Sequence, residues 1–379
     1  MSCTLHLHTL SGEHHPLTAV PQITRVVAGL DADFSFLIQI CGSHLAILFY
    51  DQLNASSQNS FVVWNWRTGH QQIVSNLSPV TCFTIDFFCN QYIHTSEFQS
   101  FAFMTEDLIL AAILRSDMEP TLQVLRVSAA YLNPVRSVAD IPFVCELQYP
   151  ELQGNLEYFL IRAEPTPTWR PPADLKVPFY SSRKEFIFTI STRIISGDTH
   201  ESTVLFVPLS TLLLEVERSH AVHRRVVSWR AWGPSGTRMM CREPSETWVC
   251  YTYGMKFILG LRWKNGHVAR VYDFNRHAAR KYVRTSLDSR VPWMRLAKET
   301  KPGGRYEGFC PKVVTTLPGR VATITLEHSD DGWDAAMIGE DHIVMVQVRY
   351  LLSNIVIDLI ADLFRRAQPN SSMYGYMAM

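Results

Sequence analysis

The 379-residue chain sets 35 Lys and Arg against 35 Asp and Glu, with 47% hydrophobic and 18% charged residues. This composition excludes a chain that is disordered throughout and supplies apolar surface for a large core. Net neutrality argues against bulk attraction to nucleic acid or anionic membrane, and no uncharged apolar run is long enough to span a bilayer, which predicts a soluble protein.

The first element, Leu5-His6-Leu7-His8-Thr9-Leu10 with Ser11-Gly12 after it, reads as a strand and turn by its alternation. Ser43 to Phe49 is an apolar strand leading into the most informative segment, Phe61 to Val74. There large apolar and polar residues alternate up to Thr68-Gly69, and a second short strand follows. This pattern describes an antiparallel hairpin with one buried face, and Gly69 supplies the positive backbone angle of a tight turn. Trp64 and Trp66 flank Asn65, so both point to one face and are read as packing between neighbouring sheets.

Weaker copies follow along the chain. Asp107 to Leu114 precedes Leu122 to Val127, Phe186 to Ile190 precedes Val204 to Leu209, and Lys256 to Gly260 precedes Ala269 to Asn275. Each apolar face is too small to be stable alone and must stack on its neighbour. The fold expected is therefore all-β, a degenerate WD40-like β-propeller of about six or seven blades over residues 1–348. The spacing exceeds the ~40–45 residues of a WD40 unit, which predicts long loops within and between blades.

Ring closure is expected from Leu5 to Leu10 pairing with His342 to Val348, because an open ring leaves strand edges unpaired. Three segments depart from the strand rhythm. Glu164 to Pro172 is a proline-rich loop, and Lys298 to Cys310 is a second loop through Pro302-Gly303-Gly304. After Tyr350, Ile355, Leu359, Leu363 and Phe364 follow helical spacing, so residues 349–379 are expected to hold a short C-terminal helix and a disordered tail.

Chemistry-bearing motifs are sparse. His220-Ala221-Val222-His223 could place two imidazoles on one helix face, but no further ligand has a defensible spacing, and a basic surface patch with Arg224 and Arg225 is the better reading. Asp330-Asp331-Gly332 lacks the remaining positions of a calcium loop. Gly233-Pro234-Ser235-Gly236 sets its serine one position away from a nucleophile elbow, and Pro302-Gly303-Gly304-Arg305 lacks the ending of a phosphate loop. No catalytic residue, metal site or cofactor is assigned. The eight cysteines form no Cys-x-x-Cys pair, so free thiols in a reducing, cytoplasmic or nuclear compartment are expected. Trp169 and Arg170, in the proline-rich loop, are residue types enriched at interface hot spots.

Several of these segments together resemble a known family. Trp64-Asn65-Trp66-Arg67-Thr68-Gly69, Trp229-Arg230-Ala231-Trp232-Gly233-Pro234 with Thr237-Arg238, Tyr272-Asp273-Phe274-Asn275, Thr316-Leu317-Pro318 and Met337 to Asp341, in this order, resemble the carboxy-terminal region of F-box proteins expanded in mushroom-forming fungi. The resemblance runs from about Leu5 to Val348. It implies a substrate-recognition part of an SCF-type ubiquitin ligase receptor that binds a target protein. The chain opens inside the strand repeat, so the F-box is not matched and binding of a Skp1-type adaptor is not expected of these residues.

Two function classes follow. The first is a protein-interaction propeller without enzymatic activity, contacting its target through Trp169, Arg170, Arg224 and Arg225. The second is a nucleic-acid-binding scaffold, motivated by Arg276, Arg280, Lys281, Arg284, Arg290 and Arg295 interleaved with Tyr282 and Trp293. Zero net charge and the lack of an RNA-binding signature place it second. A propeller enzyme is third, with no constellation to support it.

Overall fold

The computed structural model describes residues 2–9, 11–26, 34–51, 59–76, 98–115, 119–127, 143–167, 185–197, 199–222, 225–241, 251–263, 266–275, 294–297, 313–326, 335–339, 342–351 and 354–363. These residues form twenty-three strands and two helices.

At the amino end, β1 (Ser2–His6) pairs antiparallel with β2 (Gln22–Val26) in a two-stranded sheet. The connection tightens at Gly12, whose φ of 85° is in the left-handed region. Four-stranded order then begins. The first full sheet is the meander β3 (Phe34–Cys41), β4 (His44–Asp51), β5 (Ser60–Asn65) and β6 (His70–Asn76). The tryptophan hairpin is β5–β6. Asn65 Oδ1 accepts from the N–H groups of Arg67 and Thr68, and Gly69 turns the chain at φ 73°, an Asx-type turn feeding a positive-φ glycine.

The second sheet repeats the meander with β7 (Phe98–Phe103), β8 (Leu108–Leu114), β9 (Pro120–Arg126) and β10 (Phe143–Gln148). Every residue of β8 is buried. Its unbroken run Leu-Ile-Leu-Ala-Ala-Ile-Leu is what a strand covered on both faces requires. The third sheet holds β11 (Asn155–Arg162), β12 (Ile187–Ser196) and β13 (Thr199–Pro208). It is then interrupted by α1 (Leu209–Val222), β14 (Val226–Val227) and α2 (Trp229–Gly236) before β15 (Arg238–Cys241) completes it beside β13.

The fourth sheet has the order β16 (Thr252–Tyr253), β17 (Lys256–Trp263), β18 (Gly266–Asp273), β20 (Gly319–Leu326), β19 (Met294–Ala297). The fifth is β21 (Ala335–Ile338), β22 (His342–Leu351) and β23 (Asn354–Leu363).

Stacking of these sheets in chain order makes the core. Along β4, Ala46 and Leu48 join Phe61, Val63, Phe98, Phe101 and Phe103 between the first and second sheets. Leu45, Ile47 and Phe49 alternate with them and pack with Val62, Trp64 and Ile23 beneath the amino-terminal hairpin. The same division repeats in β8. Ile109 and Ala111 face the first sheet, whereas Leu110 and Ala112 join Phe159, Ile161, Phe188 and Leu205 of the third. Ile187, Val204 and Phe206 then pack with Phe257, Ile258 and Phe274 of the fourth sheet, in a cluster that continues to Ala336, Ile338 and Ile343 of the fifth. Strands of successive sheets lie side by side, β3 near β7, β7 near β11, β12 near β16 and β16 near β21.

Two expectations are corrected. Residues 354–363 form β23 rather than a helix, pairing with β22 from Asn354↔Leu351 to Leu363↔His342. The run Ile355-Val356-Ile357 is β-branched and favours extended backbone, and a ten-residue partner strand outweighs the helical spacing. The amino-terminal strand does not pair with β22: β1 pairs with β2 in the register Ser2↔Val26 to His6↔Gln22, and both edges of β22 are taken by β21 and β23.

Candidate interaction surface

The insertion between β13 and β15 leaves its own sheet and builds on the neighbouring one. Leu209, Leu212, Val216 and Ser219 are buried at helical spacing along α1. The chain then returns as β14, a parallel edge strand on β10 with Glu146↔Val226 and Leu147↔Val227. The Glu146 N–H donates to the Arg225 carbonyl at 2.7 Å. In α2 the buried Trp232 donates its indole N–H to the Gln148 carbonyl at 2.9 Å, and Trp229 meets it edge to face at 5.2 Å. Thr211 Oγ1 donates to the Gly236 carbonyl at 3.1 Å and ties the two helices.

Two buried carboxylates under this clasp are paired in place. The Glu146 carboxylate is buried and accepts both Nη2 contacts of Arg115, at 2.6 and 2.9 Å, and Gln123 Nε2 at 3.0 Å. Glu215, also buried, accepts from Arg218 at 2.6 Å. Burial pushes the Cys145 thiol up to about 11, against a hydrogen bond from Ser219 that lowers it. Such a thiol is an inert structural group at neutral pH.

The outer surface is different in kind. Arg126, the last residue of β9, donates from Nη2 to His220 Nε2 at 3.4 Å. Arg225 places its guanidinium 5.7 Å from the centre of the Phe143 ring, within cation–π range. Beside these cations Val222 and Val226 are exposed, Val222 by 66%. Arginine, an aromatic ring and exposed apolar side chains thus meet at one sheet edge, residue types that interfaces favour.

Of the four contact residues expected from sequence, only Arg225 falls within this description. Trp169, Arg170 and Arg224 lie outside the described residues, as do His223, Asp330 and the run Arg276 to Trp293. Among the described residues no group of three metal-binding side chains is gathered, and no helix is long and apolar enough to cross a membrane. His220 sits against the cationic Arg126. Arg126, Phe143 and Val226 are contributed by separate strands, so no local sequence signal linked them. Neither a protein-family model, a curated protein nor a solved structure matches the chain.

Proposed function

We propose that the chain is a protein-interaction module of β-propeller type without enzymatic activity, serving as the target-recognition part of an F-box-type ubiquitin ligase receptor. The observation that carries the interaction reading is the clasp. An insertion from the third sheet adds a strand to the second, and the resulting edge sets Arg126, Arg225 and Phe143 beside exposed Val222 and Val226. The ligase context rests on the family resemblance of the sequence motifs.

The propeller reading is supported by largely antiparallel sheets that stack in chain order, each with a strand beside the next. A ring of about six or seven blades would also account for the outer face of β3, where Phe36, Ile38 and Ile40 are exposed by 55, 41 and 50%. They lie at alternate positions on the face opposite Leu37, which packs toward the second sheet. Ring closure would cover that stripe.

The test of the interaction reading is capture of the target by the wild-type chain and by an Arg225→Glu, Val222→Asp variant. Each anchoring side chain is worth about 1–4 kcal/mol at an interface, so the variant should lose the target while keeping its melting temperature. Unchanged capture would move the contact elsewhere. Turnover of a substrate, abolished by one side-chain change, would defeat the non-enzyme reading.

A further inference from the structure

The exposed face of the amino-terminal hairpin carries three histidines in one patch. Along the first strand Cys3, Leu5 and Leu7 pack toward the core beneath the hairpin. Thr4, His6 and His8 alternate with them and face solvent. The chain turns at Gly12 and brings His14 back directly opposite His8 as an antiparallel bridge.

The hydrogen bonds around that bridge define its kind. Thr9 N–H donates to Glu13 O at 2.8 Å and His15 N–H donates to Leu7 O at 3.0 Å, so the bonds flank His8 and His14. They are therefore a non-hydrogen-bonded pair, the arrangement in which facing side chains come closest. His6 lies on the same face, with its ring stacked on His8 at 5.9 Å and 20°.

The neighbour of His14 determines which of its nitrogens is free. Thr18 Oγ1 donates its one proton to the His15 carbonyl at 2.9 Å. It must then accept from His14 Nε2 at 3.0 Å, which places the proton on Nε2 and leaves the Nδ1 lone pair available. A second hydrogen bond that orients a ring is a common accompaniment of a ligating histidine.

We propose that His6, His8 and His14 form a surface site for one divalent transition cation, Zn²⁺ or Cu²⁺. In the structure the rings are stacked, not gathered at ligand distance. The backbone already holds the three Cβ atoms on one face, and rotation of exposed side chains is all that remains to bring a nitrogen of each within the ~2.0–2.1 Å of a metal–imidazole bond. Two histidines at alternate positions of a strand and a third across from them can supply three nitrogens, with water completing the coordination. Imidazole donors favour zinc and copper over magnesium or calcium. Register slippage is opposed because Leu5 and Leu7 are committed to the core face.

The 379-residue chain, carrying no histidine tag, is titrated with Zn²⁺ and separately with Cu²⁺ by calorimetry, and the copper form is measured by electron paramagnetic resonance. One equivalent should bind, with nitrogen hyperfine structure for copper, and the melting temperature should rise with metal concentration as mass action requires. His8→Gln and His14→Gln should each weaken binding by about tenfold or more, while the exposed His70→Gln leaves it unchanged. The substituted side chains are exposed, so circular dichroism should be the same for all variants. Lack of binding by the wild type, binding of Mg²⁺ equally well, or affinity unaltered in His8→Gln and His14→Gln would overturn the site. A metal held elsewhere on the chain would be recognised by the last of these outcomes.

Discussion

Trp232 and Gln148 are joined across two sheets. The indole N–H of Trp232, in the insertion of the third sheet, donates at 2.9 Å to the carbonyl that ends β10 in the second. Trp232 is among the largest fully buried side chains, so this bond fastens the clasp from the inside while Arg225 and Val226 line its outside.

Trp232→Phe keeps most of the buried ring and removes the donor. The Gln148 carbonyl then loses a partner, and destabilisation of about 1–3 kcal/mol is expected. Trp232→Ala should cost roughly 3–5 kcal/mol through the cavity. Urea unfolding measures both, and equal losses would show that the hydrogen bond, not the packing of the ring, carries the contribution at this position.

Gly233 has no room for a side chain. A Cβ there would fall within the ring of Trp229, one turn back in α2. Gly233→Ala is expected to destabilise by about 1–3 kcal/mol by overpacking, even though alanine is the better helix former. Combined with Trp229→Ala, the two losses should sum to more than the measured double-variant loss, as coupling between touching residues requires.

Ile38 reports on ring closure. If the stripe of Phe36, Ile38 and Ile40 is covered as proposed, Ile38→Asp should cost about 2 kcal/mol or more, since an unpaired carboxylate would be buried. A change within about 0.5 kcal/mol, typical of an exposed site, would mean that the face stays open.

His44 predicts an acid-side loss of stability. Desolvation holds its pKa below the usual 6.5, against Glu106 and Asp107, which raise it. Between the folded value and 6.5 the unfolded chain therefore binds a proton that the folded chain refuses. The contribution is fully present above about 6.5 and is lost as pH falls through the folded value. His44→Gln should flatten the fall of unfolding free energy below pH ~6.5 relative to wild type, and an identical slope would remove His44 as its source.

The strands that pack against neighbours on both faces were legible before any coordinates. The apolar run of β8, the alternation in β5 and the Thr68-Gly69 turn are local features, because side-chain period and backbone angle are properties of a few consecutive residues. Pairing and placement depended on the tertiary structure. The spacing of Ile355, Leu359 and Leu363 suits a helix, but β22 offers a ladder along its whole length and residues 354–363 become a strand. Nothing local told β14 to join β10, a contact made possible by α1 spanning the edge of the second sheet. Arg126 and His220 are 94 residues apart in the chain and meet at 3.4 Å. The histidines of the amino-terminal strand alternate visibly in sequence, yet His14 joins them only through the register set by Gly12 and by the burial of Leu5 and Leu7. Periodicity assigns a residue to a face; which faces and edges meet is decided by long-range burial, which no short window of sequence contains.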